Sequence, residues 1–201
     1  MDDLRFEKGK KTKMLIIKTA LNILFTEGML ELTARNLSEK SGVSKGNLYH
    51  HFKSMDEIME EAFLFIINDN YKSITGIKTD SLYDFLVAIV INSVERADCE
   101  KKKIEGNTVV FWEVIMRNEK LFNFFKNIDK DMTNWIIKEI ENFIKKELSI
   151  DLKNYVINVV MTFLAGTKSY IFFMNEDIDS YKEAWKILAK HLEERILEEN
   201  K

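Results

Sequence analysis

Residues 33–58 read TARNLSEKSGVSKGNLYHHFKSMDEI, and the spacing within this stretch decides the fold. Thr33 can cap a short helix whose inner side would be Ala34, Leu37 and Ser41, with Gly42 at its end, where glycine suits the left-handed residue that closes a helix. Ser44 is then the cap of a second short helix reaching about His50. Two short helices joined through Ser41-Gly42-Val43-Ser44 fit the helix-turn-helix pattern, in which a tight corner containing glycine offers the second helix to the major groove of DNA. Ordinary helical bundles contain such corners too, so the second helix must carry the argument.

At about 100° per residue, Leu48 and Phe52 fall on one side of that helix and Gly46 and His50 on the other, flanked by Asn47 and Tyr49. Glycine inside a helix costs about 1 kcal/mol relative to alanine. On an exposed face it is either tolerated or needed so that the backbone can approach DNA closely. Lys45, Asn47, Tyr49, His50, His51 and Lys53 supply donors for phosphate oxygens and base edges. Each alone also reads as solvated surface; their concentration on one short helix points to recognition. Lys53 precedes the next helix, whose first amides can share a phosphate with it.

Working outward, Ser54 and Glu57 form a capping box that opens a fourth helix, about 55–74, with Ile58, Ala62, Phe65 and Ile66 on one face and an interruption at Thr75 and Gly76. Upstream, Met14, Ile17, Leu21, Leu24 and Phe25 mark a helix from about Lys11, stopped by Gly28. Downstream, amphipathic stretches run over about 81–98, 107–117, 119–148, 151–175 and 180–199. There is no proline and only 7 glycines, so sheet punctuation is scarce. The expected fold is all-α: an N-terminal three-helix helix-turn-helix domain over 1–54, then a helical bundle over 55–201 for ligand binding and dimerisation, with the fourth helix connecting the two.

The chain is 46% apolar and 31% charged, the balance of a globular protein. Its net charge of −3 hides an asymmetry: residues 1–54 hold ten Lys or Arg against six Asp or Glu, and the remainder twenty against twenty-seven. The sign difference, and not the total, bears on nucleic acid. The first residues mix acid and base ahead of any apolar run, unlike a secretory signal, which implies a cytoplasmic protein. Between Asn154 and Asn175 the only charge is Lys168, but Asn154, Asn158 and Thr162 recur every four residues, so this segment reads as a core helix and not a membrane span. Cys99 is the single cysteine, best read as a small packed residue, and with three histidines it makes no zinc spacing. No phosphate loop, metal cluster or nucleophile in a recognisable context is present, so neither an enzyme, a cofactor nor a metal is expected.

Residues 42–54, from Gly42-Val43-Ser44-Lys45-Gly46-Asn47 through Leu48-Tyr49-His50-His51-Phe52-Lys53-Ser54, resemble the signature of the TetR/AcrR family of transcriptional regulators. With Thr33 upstream and Met55-Asp56-Glu57-Ile58 downstream, the resemblance covers about residues 12–66. It implies that Thr33 and Ser44 fix phosphates, that Lys45, Gly46 and Asn47 lie nearest the base edges, and that Tyr49, His51 and Lys53 grip the backbone. His50 stands where such proteins often have Tyr, and Ser38 and Ser41 replace the usual alanines of the preceding helix. The implied function is a sequence-specific regulator, a repressor released by a small apolar or cationic molecule, acting as a homodimer on a two-fold symmetric double-stranded operator. The alternative is a helical dimeric adaptor that does not bind DNA specifically.

The resemblance also places the dimer contact in the last two long helices. There, Tyr181, Trp185, Leu188, Leu192 and Ile196 form one stripe, and Tyr155, Val159, Phe163 and Gly166 lie on one side of the preceding helix. Periodicity cannot tell a partner from the chain's own core. Large groups in the middle of the chain, Phe111, Trp112, Met116, Phe122, Phe125 and Trp135, suit an effector pocket as well as a core. Asn92, Thr108, Glu113 and Asn158 are polar candidates that could orient a ligand if they point inward, Glu113 suggesting a cationic one.

Overall fold

The apolar spacing that begins at Met14 becomes the second half of α1 (Asp2–Thr26) in the computed structural model, which describes residues 2–103, 108–174 and 177–199, and side chains for 6–95, 112–167, 169–170 and 177–199. The helix starts about nine residues earlier than its apolar stripe predicts. Residues 2–13 have no stripe, but Lys, Glu and Arg are good helix formers, and Glu7 pairs with Lys10 at 3.6 Å one turn on. Gly28, at φ 94°, ends the helix, and a single 3₁₀ turn (Met29–Glu31) leads to α2 (Ala34–Ser41), α3 (Lys45–His51) and α4 (Met55–Thr75). Then come α5 (Leu82–Lys103), α6 (Thr108–Arg117), α7 (Glu119–Ile144), α8 (Ile150–Met174) and α9 (Ile178–Glu198). No strand occurs among the described residues.

The helices form two compact units. The first comprises residues 1–69 and 104–125, the second 70–103 and 126–201. The first unit therefore extends past the boundary expected at residue 54. The reason is packing: Ile58 and Ala62 of α4 share one core with Ile16, Ile17 and Ala20 of α1, Leu37 of α2 and Leu48 of α3. Burying a side chain such as Leu37 or Leu48 completely contributes about 1.5–3 kcal/mol. On the part of α4 within the first unit the buried set is Ile58, Ala62, Phe63 and Ile67, with Phe65 and Ile66 only half-buried, so the inner face is turned slightly from the expected one. Phe63 meets Phe25 with ring centroids 6.4 Å apart.

In the second unit, Phe85, Leu86, Ile89, Val90 and Val94 of α5 pack with Leu152, Val156 and Val160 of α8 and with Trp185, Ala189, Leu192 and Ile196 of α9. Trp185 is fully buried, and its indole N–H donates to the Leu86 carbonyl at 2.8 Å, so the one polar atom of the ring is satisfied. This corrects the expected dimer stripe: Trp185, Leu192 and Ile196 have no exposed surface to offer a partner. Phe163 lies 4.9 Å from the Trp185 ring and belongs to the same packing, while Val159, Tyr181 and Leu188 are half-buried beside it. On α8 the exposed side carries Tyr155, Asn158, Thr162 and Gly166. Asn154 is exposed as well, so among its described side chains α8 buries one face. No helix among the described residues is long and apolar enough to cross a membrane. Lys145 closes α7 at φ 57°, and the Leu148 N–H donates to the Glu141 carboxylate at 3.0 Å just beyond it. The side chains of Cys99 and Lys168 lie outside the described residues.

Candidate nucleic-acid interface

The corner between α2 and α3 is built from short polar side chains bonding to nearby backbone. Thr33 caps α2 by accepting from the Asn36 N–H at 3.1 Å. Ser41 donates to the Leu37 carbonyl at 2.6 Å and accepts from the Val43 N–H at 3.2 Å, which ties the turn to the helix it leaves. Gly42 sits at φ 68°, where any side chain would be strained. Ser44 caps α3 by accepting from the Asn47 N–H at 3.3 Å. The serine at position 41, which stands where alanine is usual, is thus a working part of the turn.

At its other end α2 is fastened to the end of α1. Glu27 takes Lys40 at 3.1 Å and the Asn36 amide at 3.2 Å, and Asn36 also donates to the Glu31 carbonyl at 3.0 Å. The hydrogen bond from Asn36, followed by the one from Lys40, holds the Glu27 carboxyl below the usual carboxylate range.

With Leu48 and Phe52 buried, α3 presents its remaining residues outward. Lys45, Gly46, Asn47, Tyr49 and His50 are exposed and His51 is half-buried. A Cβ placed on Gly46 would meet nothing within 4 Å, so the protein itself gives no reason for a glycine there. Thr33, Ser44 and Lys53 are exposed too, so all nine residues expected to meet DNA belong to this one module with surface available. His50 and His51 lie edge to face at 5.4 Å. Burial first, then the nearby His50 and Lys13, hold the His51 imidazole below its ordinary pKa, so at neutral pH it is uncharged and donates a single N–H.

The capping box at the start of α4 forms in a shifted way. Ser54 Oγ accepts from the Glu57 N–H at 3.1 Å, but the Glu57 carboxylate takes the N–H of Lys53 and not that of Ser54. This fixes the backbone at Lys53 and leaves its side chain exposed ahead of the helix.

One contribution to this region was missed in the sequence. The early turns of α1 run past the end of α3: a Cβ on Gly9 would lie 4.0 Å from the His51 ring. Lys13 stands over the Phe52 ring at 5.2 Å and pairs with Glu61 at 3.3 Å. The only sequence signal was the basic run from Lys8 to Lys13, which has no apolar period.

The effector candidates are not gathered in the same manner. Trp112 and Phe125 meet edge to face at 5.3 Å in the first unit, where Trp112 is 44% and Met116 65% exposed and Phe122 is half-buried. Glu113 pairs with Arg117 at 3.0 Å one turn along the same helix, with the arginine largely exposed. Trp135 meets the buried Phe85 edge to face at 5.5 Å in the core of the second unit, and Asn158 is on the exposed side of α8. The Phe111 side chain lies outside the described residues.

Comparison with known proteins agrees with this geometry. Residues 16–62 match the family described as bacterial regulatory proteins, tetR family. The chain is 28% identical over 106 residues to the HTH-type transcriptional repressor KstR2 of Rhodococcus jostii, covering 51% of this chain and 50% of that protein. It is 24% identical over 147 residues to the repressor of the same name from Mycolicibacterium smegmatis, covering 68% and 69%. The match thus spans about half the length of the first of these relatives. Among solved structures, a TetR-family transcriptional regulator from Rhodococcus sp. has a TM-score of 0.68 at 16% identity, covering 90% of this chain and 98% of that one. A transcriptional regulator of the same broad family from Aquifex aeolicus has a TM-score of 0.59 at 18% identity, covering 90% and 99%. These two likenesses concern the fold. The part of the chain that builds the helix-turn-helix, residues 16–62, is thus similar to the tetR family of bacterial regulatory proteins, and the chain follows the fold of the Rhodococcus structure along nine-tenths of its length.

Proposed function

We propose that the chain is a homodimeric repressor that binds a two-fold symmetric DNA operator through α3 and is released by a small molecule. The observation that carries the reading is the division of α3: Leu48 and Phe52 anchor it, and Lys45, Asn47, Tyr49 and His50, all suited to phosphates and base edges, are exposed around a glycine that packing does not require. The names of the two relatives support repression over activation.

Dimerisation is drawn from the outer faces of α8 and α9. Tyr155 is 41% exposed and Gly166 is open, so a second helix can come close there. On α9, Ile187 is 75% exposed and adds apolar surface. This face, and not the buried stripe at Trp185, Leu192 and Ile196, is the one that fits a partner. For the effector, the Trp112–Phe125 pair is the remaining candidate, suited to an apolar molecule.

The test is selection of genomic fragments by the purified protein, followed by gel-shift titration. Enrichment of fragments that share a two-fold repeat is the expected result. Equal retention of all fragments contradicts the reading. An effector that weakens DNA binding tenfold must bind tenfold more weakly to the DNA complex, a coupling of about 1.4 kcal/mol.

A further inference from the structure

We propose that the early turns of α1 form a second, sequence-independent DNA contact, in which Lys8, Lys10 and Lys11 bind phosphates flanking those held by α3. This rests on the DNA-binding reading above and adds to it a surface outside residues 16–62, the part that matches the family.

Three observations meet here. The first is position. Gly9 lies beside His51 at the end of α3, close enough that a Cβ would touch the imidazole at 4.0 Å. Lys8 and Lys10 flank Gly9 in sequence, and a rise of about 1.5 Å per residue keeps all three lysines within one turn of that contact. The second is charge. Residues 8–13 read KGKKTK, four lysines with no acid, while the acids Asp2, Asp3 and Glu7 precede them. Lys8, Lys10 and Lys11 are exposed. Among the described residues, the ion pair made by these three lysines is that of Lys10 with Glu7 at 3.6 Å, with both side chains more than half exposed. An exposed pair of that kind contributes little and gives way easily to a phosphate.

The third is anchorage. Lys13 is held by Glu61 and by the face of Phe52, so the segment is tied to α4 and to the end of α3, where His51 and Lys53 stand. The helix continues unbroken from this anchor into the buried turns that begin at Ile16. The lysines are therefore carried on a braced helix and not on a loose arm. Their flexible ammonium groups suit phosphate oxygens and carry no base information.

The test compares the full-length protein with the variant Lys8→Gln/Lys10→Gln/Lys11→Gln, which keeps helix-forming side chains while removing three charges. Affinity is measured against salt on two probes: a duplex recovered by selection from a random pool, and a random duplex. The plot of log K against log salt should become shallower by about 0.9 for each phosphate given up, or about 2.7 for three, on both probes, with the preferred bases unchanged. Between 50 and 200 mM salt that difference amounts to about 40-fold. The corresponding Arg variant should keep the wild-type slope, and Glu7→Gln, which frees Lys10, should not make it shallower. Lys78→Gln/Lys138→Gln/Lys146→Gln, which removes as much charge from exposed positions elsewhere, should leave it unaltered. A slope equal to that of this control, or a change in base preference, overturns the proposal while leaving DNA binding by α3 intact. Failure of the unmodified protein to bind either duplex overturns the underlying reading instead.

Discussion

Replacing Gly46 with alanine should push stability and DNA affinity in opposite directions. A Cβ at this position meets nothing within 4 Å in the protein, and the residue lies in the first turn of α3 with helical geometry. In the free protein, Gly46→Ala therefore removes only the entropic penalty of glycine, a gain of about 0.5–1 kcal/mol. For a chain of this length that raises the melting temperature by about 1–4 °C. In the complex, the added methyl stands where the α3 backbone is proposed to approach DNA. A loss equivalent to one base contact, about 1–3 kcal/mol, weakens specific binding by roughly five- to 150-fold. Differential scanning calorimetry and fluorescence anisotropy on the same preparations read the two effects. A variant that is more stable and binds as tightly as the wild type refutes the close-approach argument. A variant that is less stable refutes the claim that the site is open.

Asn47→Ala should change which bases are preferred, whereas Lys53→Ala should weaken all sequences alike and reduce the salt slope by about 0.9; selection from a random pool and salt titration separate them. Lys145→Gly should stabilise the protein by about 1 kcal/mol, because Lys145 occupies the left-handed region at φ 57°, and calorimetry showing no gain would count against strain there. Trp185→Phe should cost about 1–2 kcal/mol in urea unfolding, since the buried bond to the Leu86 carbonyl is lost. Glu60, held below the usual carboxylate range by hydrogen bonds from Lys120 and then Asn118, has its pKa lowered on folding. Its contribution is present above the ordinary carboxylate pKa and is lost as pH falls through the folded value. The urea midpoints of wild type and Glu60→Gln should therefore differ at neutral pH and converge below about pH 4.3, and a constant gap would contradict the pairing.

What could be read from the sequence depended on whether local chemistry or long-range packing decided the outcome. The α2–α3 corner was legible because caps, turn glycine and periodicity all act within a few residues, and Thr33, Gly42 and Ser44 behave as their side chains require. The first nine residues of α1 were not, because their helix is braced by Lys13 reaching Phe52 and Glu61, partners about 40 to 50 residues away. The stripe on α9 was real, but a stripe reports burial and not the identity of what covers it. Trp185, Leu192 and Ile196 turned out to face α5 and α8 of their own chain. The same ambiguity attached to Glu113, whose partner Arg117 lies one turn along the same helix and is visible in the sequence as an i, i+4 pair. The domain boundary shifted because α4 gives its first two turns to the helix-turn-helix core.

Competition between a selected duplex and a scrambled one at physiological salt tests most directly whether the exposed face of α3 reads a specific DNA sequence. The selected duplex should contain two half-sites about 34–36 Å apart, matching two copies of α3, and should be preferred by about 10³-fold or more. Equal affinity for the two duplexes, each falling in parallel with salt, would show that the protein holds DNA by phosphates alone and that α3 reads no sequence.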